Sequence, residues 1–276
     1  MIRAIASEWR KLTTTRMWWG LGIVLIGYVG FTAAMFAGLF GAVAAGLIGA
    51  DAAGMNGSPI PEAVLPSLVY STVTAVGYVI PLILGTLSVT AEVRHRTLTP
   101  TFLATPSRPT VLVAKLVVMV GAGAALGVAG LVAAMGIGGG TLAALGIDPQ
   151  FAVADTWWLA ARVALAMGVW AAVGVGVGSL IQNQIAAVVV VIAFTQFVEP
   201  ILRLGAAFWE PAAQVGRFLP GAAGDALVGS SIYTMVAVGP ATVEALAWWQ
   251  GGLVLAAYAV VAAAAGWATA WRRDVT

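Results

Sequence analysis

The stretch Thr90–Lys115, TAEVRHRTLTPTFLATPSRPTVLVAK, decides the fold, because it is a polar island in a chain that is 61% apolar. It carries four of the thirteen basic residues (Arg94, Arg96, Arg108 and Lys115), the only histidine, His95, and the prolines Pro100, Pro106 and Pro109. Long apolar runs flank it, and several runs in the chain exceed the roughly 18 residues that mark a membrane-crossing helix. An island of charge between two such runs reads as a loop returning the chain through water. What that loop touches is the question on which function turns.

Outward from the island, composition sets the class. Only 9% of the 276 residues are charged, and the mean hydropathy is +0.98. Soluble domains run nearer a quarter charged. The expectation is an all-α, polytopic membrane protein forming one transmembrane domain over residues 1–276. A formal charge of +2 is too small to point to nucleic acid. Cysteine is absent, which excludes disulfides and thiolate metal sites. The apolar run from Met17 to about Ala50 is at least twice the roughly 7–15 residues of a signal-peptide core, so it reads as an uncleaved span.

Six spans are expected, at about 17–44, 68–91, 110–135, 157–181, 185–203 and 247–270. With six spans, both termini, the 92–109 loop and the turn Gln182-Asn183-Gln184 share one side. That side holds Arg3, Arg10, Lys11, Arg16, Arg94, Arg96, Arg108, Lys115, Arg272 and Arg273, ten of the thirteen basic residues. The other side receives Asp51, Glu62, Asp148, Asp155, Glu199, Glu210, Asp225 and Glu244, eight of the eleven acids. Cytoplasmic loops carry the excess of Lys and Arg, which predicts cytoplasmic termini in a cell-membrane protein. Trp18, Trp19 and Trp271 at inner boundaries, and Trp157, Trp158, Trp248 and Trp249 at outer ones, agree with the interfacial preference of indole.

The segments outside the spans also carry pattern. In residues 1–16, Ile2, Ile5, Trp9 and Leu12 share a face while Arg3, Ser7, Arg10 and Lys11 point elsewhere. This predicts a helix lying in the interface, apolar face in lipid and basic face toward headgroups. The outer segment 204–245, with Pro211, Pro220, Pro240 and the small residues Gly221 to Gly224, predicts short or re-entrant helices. Within the 92–109 loop, Leu98-Thr99-Pro100-Thr101-Phe102-Leu103 has the polarity of a short amphipathic helix with Pro100 in its first turn. Leu98, Phe102 and Leu103 make it a docking element rather than a plain solvated loop.

Enzyme signatures are missing. There is no G-x-x-x-x-G-K-S/T phosphate loop and no G-x-S-x-G elbow. A lone histidine argues against a metal site. Gly123/Gly127 and Gly174/Gly178 are G-x-x-x-G pairs, better read as ordinary packing within the chain than as a dimer seam. Arg162, one turn into the fourth span, can snorkel outward, and Glu199 and Arg203 stand at ion-pair spacing.

Three segments resemble the ABC type-2 exporter permeases, in particular the six-span family common in actinobacteria. Ser7-Glu8-Trp9-Arg10-Lys11-Leu12 through Thr15-Arg16 to Trp18-Trp19 looks like the family's E-W-x-K-L-x-T-x-R-S-x-W-W entry, with Arg10 where a small polar residue is usual. Glu92, Arg94, Thr97, Thr101-Phe102-Leu103-Ala104, Pro106, Arg108, Ala114 and Lys115 fit E-x-R-x-G-T-x-x-x-T-F-L-A-x-P-x-R-x-x-x-x-x-A-K without a gap, with Arg96 where glycine is common. Gly176 to Ala187, Glu199-Pro200 and Leu219-Pro220-Gly221 are similar to the later spans and outer loop.

The resemblance implies a non-enzymatic permease subunit. Its N-terminal helix is an elbow, its 92–109 loop a coupling helix seated in a separate ATPase subunit, and its 182–184 turn a smaller contact. A second permease subunit completes the transporter. ATP and Mg belong to the ATPase, and this chain holds no cofactor of its own. Glu92, Arg94, Arg96, Thr97, Phe102 and Arg108 are then the ATPase contact, and Glu8 and Lys11 brace the elbow. Thr72, Tyr78, Thr195 and Gln196 on spans two and five are the polar residues of the substrate path. Two other readings stay open at this point: a non-transporting membrane anchor or sensor subunit, and an ion-coupled carrier using Glu199 and Arg203.

Overall fold

The computed structural model describes residues 1–49, 61–104, 107–206, 208–231 and 244–271; Asp51, Pro106, Pro240, Arg272 and Arg273 lie outside them. Among the described residues every element is helical. Six helices are long and apolar enough to cross a membrane: Met17–Ala44, Glu62–Arg94, Arg108–Ala144, Ala154–Leu180, Gln184–Ala206 and Trp248–Thr269, here spans 1 to 6. The chain is a multi-pass membrane protein. Helices satisfy their own backbone groups, which is what lipid demands of a crossing segment.

The helices in chain order are α1 (Ile2–Thr14), α2 (Met17–Ala44), α3 (Leu65–Ala75), α4 (Val79–Arg94), α5 (Leu98–Ala104), α6 (Arg108–Ala133), α7 (Gly139–Ala144) and α8 (Ala154–Leu180). They continue as α9 (Gln184–Ala193), α10 (Glu199–Ala206), α11 (Glu210–Gly216), α12 (Pro220–Val228) and α13 (Trp248–Gly266). π-turns at Ala134–Gly138, Phe194–Val198 and Trp267–Trp271 lie within spans 3 and 5 and at the end of span 6. Alternating spans place α1, α5 and the 181–183 turn at one end of the bundle, the near end, with α11 and α12 at the far end.

Span 2 is longer than its apolar pattern suggests and is broken between Ala75 and Val79. Pro81 explains the break: it has no N–H for the carbonyl of Gly77, and its ring clashes with that carbonyl in a straight helix. Gly77 Oxygen is instead taken by the Ile80 N–H at 3.0 Å, a tighter turn. Span 3 runs on to Ala144, past the expected end near 135, through its π-turn.

Span 4 is the hub, packed against spans 2, 3 and 6. Its neighbours approach so closely that side chains are excluded. A β-carbon on Gly85 would collide with the Ala171 carbonyl, and one on Gly174 with the Leu82 carbonyl. Thr86 fills the seam between them, donating from Oγ1 to Gly174 O at 3.2 Å. Gly123 and Gly127 meet α8 in the same way, at Met167 and Ala164. Both G-x-x-x-G pairs thus serve packing within the chain, by the small-residue rule of membrane helices. Spans 5 and 6 bury little of themselves and offer Val189, Phe197, Ile201, Leu253 and Val260 to the surroundings.

Candidate functional site

The near end is organised by Lys115, about two turns into α6. Lys115 is 1% exposed, and its ammonium lies 2.5 Å from Glu8 Oε2 on α1 and 2.9 Å from Glu92 Oε1 on α4 and also donates to Ser88 O at 3.1 Å. Lys11 closes the ring from α1, 2.6 Å from Glu8 Oε1 and 2.8 Å from Glu92 Oε1. Two lysines and two glutamates from three helices make a neutral network in which Glu8, Glu92 and Lys115 are buried and Lys11 is half-buried. Such a network is strong only while every member has its partner. Burial acts to raise the Glu8 carboxyl, but the Lys115 charge and the hydrogen bonds from both lysines outweigh it and hold Glu8 below the ordinary carboxylate range. Burial acts to lower Lys11, and the Glu92 charge with the bonds to both glutamates carries it above the ordinary lysine value.

This network reverses part of the expected orientation of α1. The face toward the bundle is Ala4, Glu8 and Leu12, with Ile5 packed against the core. Ile2 and Trp9 are exposed, as are Arg3, Ser7 and Arg10. Glu8 turns inward because Lys115 waits there, a partner 107 residues away in sequence.

The network also anchors α5. Lys11 donates to Thr101 Oγ1 at 3.2 Å, and Leu98 is buried beneath the helix. The turn into α5 is a Schellman motif: Thr97 N–H bonds Glu92 O at 3.0 Å and Arg96 N–H bonds Val93 O at 3.2 Å. That geometry needs a left-handed residue, and Arg96 supplies it at φ 54°. Pro109 sits in the first turn of α6, where a missing N–H costs nothing. The Arg108 guanidinium stacks on the Phe102 ring, 5.3 Å from its centroid. Arg94 donates to Gln184 Oε1 at 3.3 Å, tying the α4–α5 turn to the start of span 5. There Asn183 caps α9, its Oδ1 accepting from Ile185 N and Ala186 N.

The sequence-derived contact residues therefore separate into two groups. Glu8 and Glu92 face inward, and Lys11 bridges them. Arg94, Arg96 and Thr97 are exposed, and Phe102 and Arg108 are half-buried beside them. Lys115, which joins Glu8 to Glu92, was visible in the sequence as one of only two lysines, inside an apolar run.

The four path residues do not line one channel. Tyr78 and Thr195 meet: the Tyr78 hydroxyl donates to Thr195 O at 3.2 Å, a carbonyl within the π-turn of span 5. Thr72 is buried and bonds its own helix at Val69 O, and Gln196 points to the exposed side of span 5. Beside Tyr78 the Trp170 ring lies tilted against it, 4.4 Å between centroids. Beyond them a narrow crevice leads to a second ionic cluster at the far end. Arg203 contacts Glu199 at 3.1 Å and Asp225 at 2.8 Å, Gly221 N–H donates to Glu199 Oε1 at 2.6 Å, and Ser231 donates to Asp225 at 2.7 Å. The i, i+4 spacing announced Glu199 and Arg203; nothing in the spacing announced Asp225, which arrives from α12. Burial pushes the Asp225 carboxyl above its ordinary value, against the pull of Arg203 and Ser231. Arg162 stacks on Trp248, 5.1 Å from the ring centroid.

Among the described residues no three histidines or acids gather as a metal-binding group. Compared with known proteins, the chain matches no family model and no curated protein.

Proposed function

We propose that this chain is the membrane-spanning permease subunit of an ATP-driven ABC exporter, coupled to a separate ATPase subunit and paired with a second permease subunit. The observation that carries the reading is the mechanical unit at the near end. α1, α5 and the ends of spans 2 and 3 are joined by the Lys115–Glu8–Lys11–Glu92 network, and Arg94 extends the unit to span 5. A push on α5 is then delivered to several spans at once rather than absorbed by a loop. Rigid coupling of that kind is what a two-state transporter needs from its lever.

In this reading the near end is cytoplasmic, α1 is the elbow and α5 the coupling helix. Arg94, Arg96, Thr97, Phe102 and Arg108 meet the ATPase, while Glu8, Lys11 and Glu92 brace the lever from behind. The sequence resemblance and the bias of basic residues toward the near end support the assignment.

The test is reconstitution in lipid nanodiscs with an ATPase subunit that assembles with the chain. ATP turnover by the complex should fall at least tenfold with Arg94→Glu plus Phe102→Ala, with folding of the permease intact. Unchanged assembly and turnover in that variant would refute the coupling role of α5.

A further inference from the structure

The far-end cluster holds an imbalance that its contacts do not resolve. Glu199 and Asp225 bring two carboxylates to one guanidinium, Arg203. Residues 232–243, which follow Ser231 in sequence, contain no Lys, Arg or His. The other far-end guanidiniums lie over rings, Arg162 over Trp248 and Arg217 over Phe218, and among the described residues the ion pairs of Glu199 and Asp225 are with Arg203. With both acids ionised the cluster carries a net negative charge in a low-dielectric place.

The excess falls on one atom. Glu199 is 1% exposed, and its Oε1 accepts from Arg203 and Gly221. Its Oε2 is equally buried and has no hydrogen-bond partner among the described residues. Glu199 lines the crevice formed with Thr74, Tyr78, Trp170 and Thr195, which has room for about one water. The groups facing Glu199 are Arg203 on its own helix, Asp225 on α12, Tyr78 on span 2 and Tyr258 on span 6, whose hydroxyl bonds Phe218 O at 3.1 Å. None of them donates to Oε2. A buried carboxylate oxygen without a donor costs several kcal/mol, and a second carboxylate nearby adds to the penalty.

We propose that Glu199 is a proton-binding site: one proton on Oε2 makes Glu199, Arg203 and Asp225 a neutral buried triad that fastens α12 to span 5. The proton comes from water in the crevice and returns to it, forming and breaking one O–H bond. Glu199 is the carrier rather than Asp225, because Asp225 Oδ2 already accepts from both Arg203 and Ser231. With the proton lost, the charge is stranded and the hold on α12 weakens. This site stands on the chain's own geometry and is independent of what drives the spans.

The test is infrared spectroscopy of the full chain in nanodiscs, with glutamate carboxyls isotopically labelled so that a glutamic acid band shifts and an aspartic acid band does not. At about pH 7 a protonated glutamic acid band is expected, disappearing on alkaline titration and absent in Glu199→Gln. Asp225→Asn, which removes the competing charge, should make that band disappear at a lower pH than in the parent chain. That shift identifies Glu199 even where Glu199→Gln fails to fold, since Glu92 at the near end does not touch Asp225. Absence of a label-shifted band at neutral pH, or a band that survives Glu199→Gln, overturns the proposal.

Discussion

Lys115 Nζ sits 2.5 Å from Glu8 Oε2, joining α1 to α6 with both side chains out of solvent. The contact matters because neither charge has water to fall back on. Lys115→Met leaves Glu8 and Glu92 sharing Lys11 alone, and removing one partner of a buried pair costs about 3–5 kcal/mol. Lys115→Met combined with Glu8→Gln should recover a large part of that loss, since the stranded charge goes with its partner. Unfolding in mixed micelles measures both variants. Additive losses in the double variant would show that the pair is not coupled.

The docking of α1 should be flat across neutral pH and fail at both extremes. Glu8 has its folded value below 4.5, so its contribution is complete above the unfolded value and is lost as pH falls through the lowered one. Lys11 has its folded value above 10.5, so its contribution is complete below the unfolded value and is lost as pH rises through the raised one. A fluorophore at exposed Ser7 should report steady docking between about pH 5 and 10. Release of α1 near pH 6 to 7 would contradict this assignment of charges.

The span count was legible because an apolar run of crossing length has one stable fate in lipid, and the bias of basic residues gave an order to the loops. The Glu199–Arg203 pair was legible because i, i+4 spacing fixes a helix face. The partners that Glu8 and Arg203 find on other helices were not. Lys115 and Asp225 come from other helices, and a single sequence holds no signal for which residues meet across a bundle. The break at Val76–Tyr78 was written in Pro81, but an apolar tract masks a proline kink when spans are read by hydropathy alone. Glu8 shows the same limit: its helix was amphipathic by composition, yet the buried face was chosen by an ion pair.

The hub around span 4 depends on backbone approaching backbone. At Gly85 and Gly174 an added β-carbon meets carbonyl oxygens of the neighbouring helix, which cannot rotate away. Gly85→Ala and Gly174→Ala should each cost at least about 1–3 kcal/mol, the usual penalty for overpacking. Gly121, on α6 with open space around it, is the control. Gly121→Ala should be neutral or stabilising by up to about 1 kcal/mol, because glycine is a poor helix former. Equal losses at all three positions would mean that the close backbone approach at Gly85 and Gly174 does not set the effect.

Arg96 carries the clearest conflict between local structure and residue choice. Spans 1 and 3 end in the same Schellman geometry as span 2, with Gly46 at φ 71° and Gly146 at φ 81° in the left-handed position. Arg96 occupies that position at φ 54° with a β-carbon, a strain of about 1–2 kcal/mol that glycine avoids. Arg96→Gly should therefore raise stability by about 1 kcal/mol, and Arg96→Val should lower it, read by unfolding in mixed micelles. In the proposed transporter the guanidinium at this turn faces the ATPase, so the more stable Arg96→Gly should show weaker ATPase stimulation. Arg96→Asn separates the two effects, because asparagine tolerates the left-handed region but carries no charge. It should keep stability near the parent value and lose stimulation as glycine does. Full stimulation in both variants would mean that the strain at Arg96 serves no contact with the ATPase.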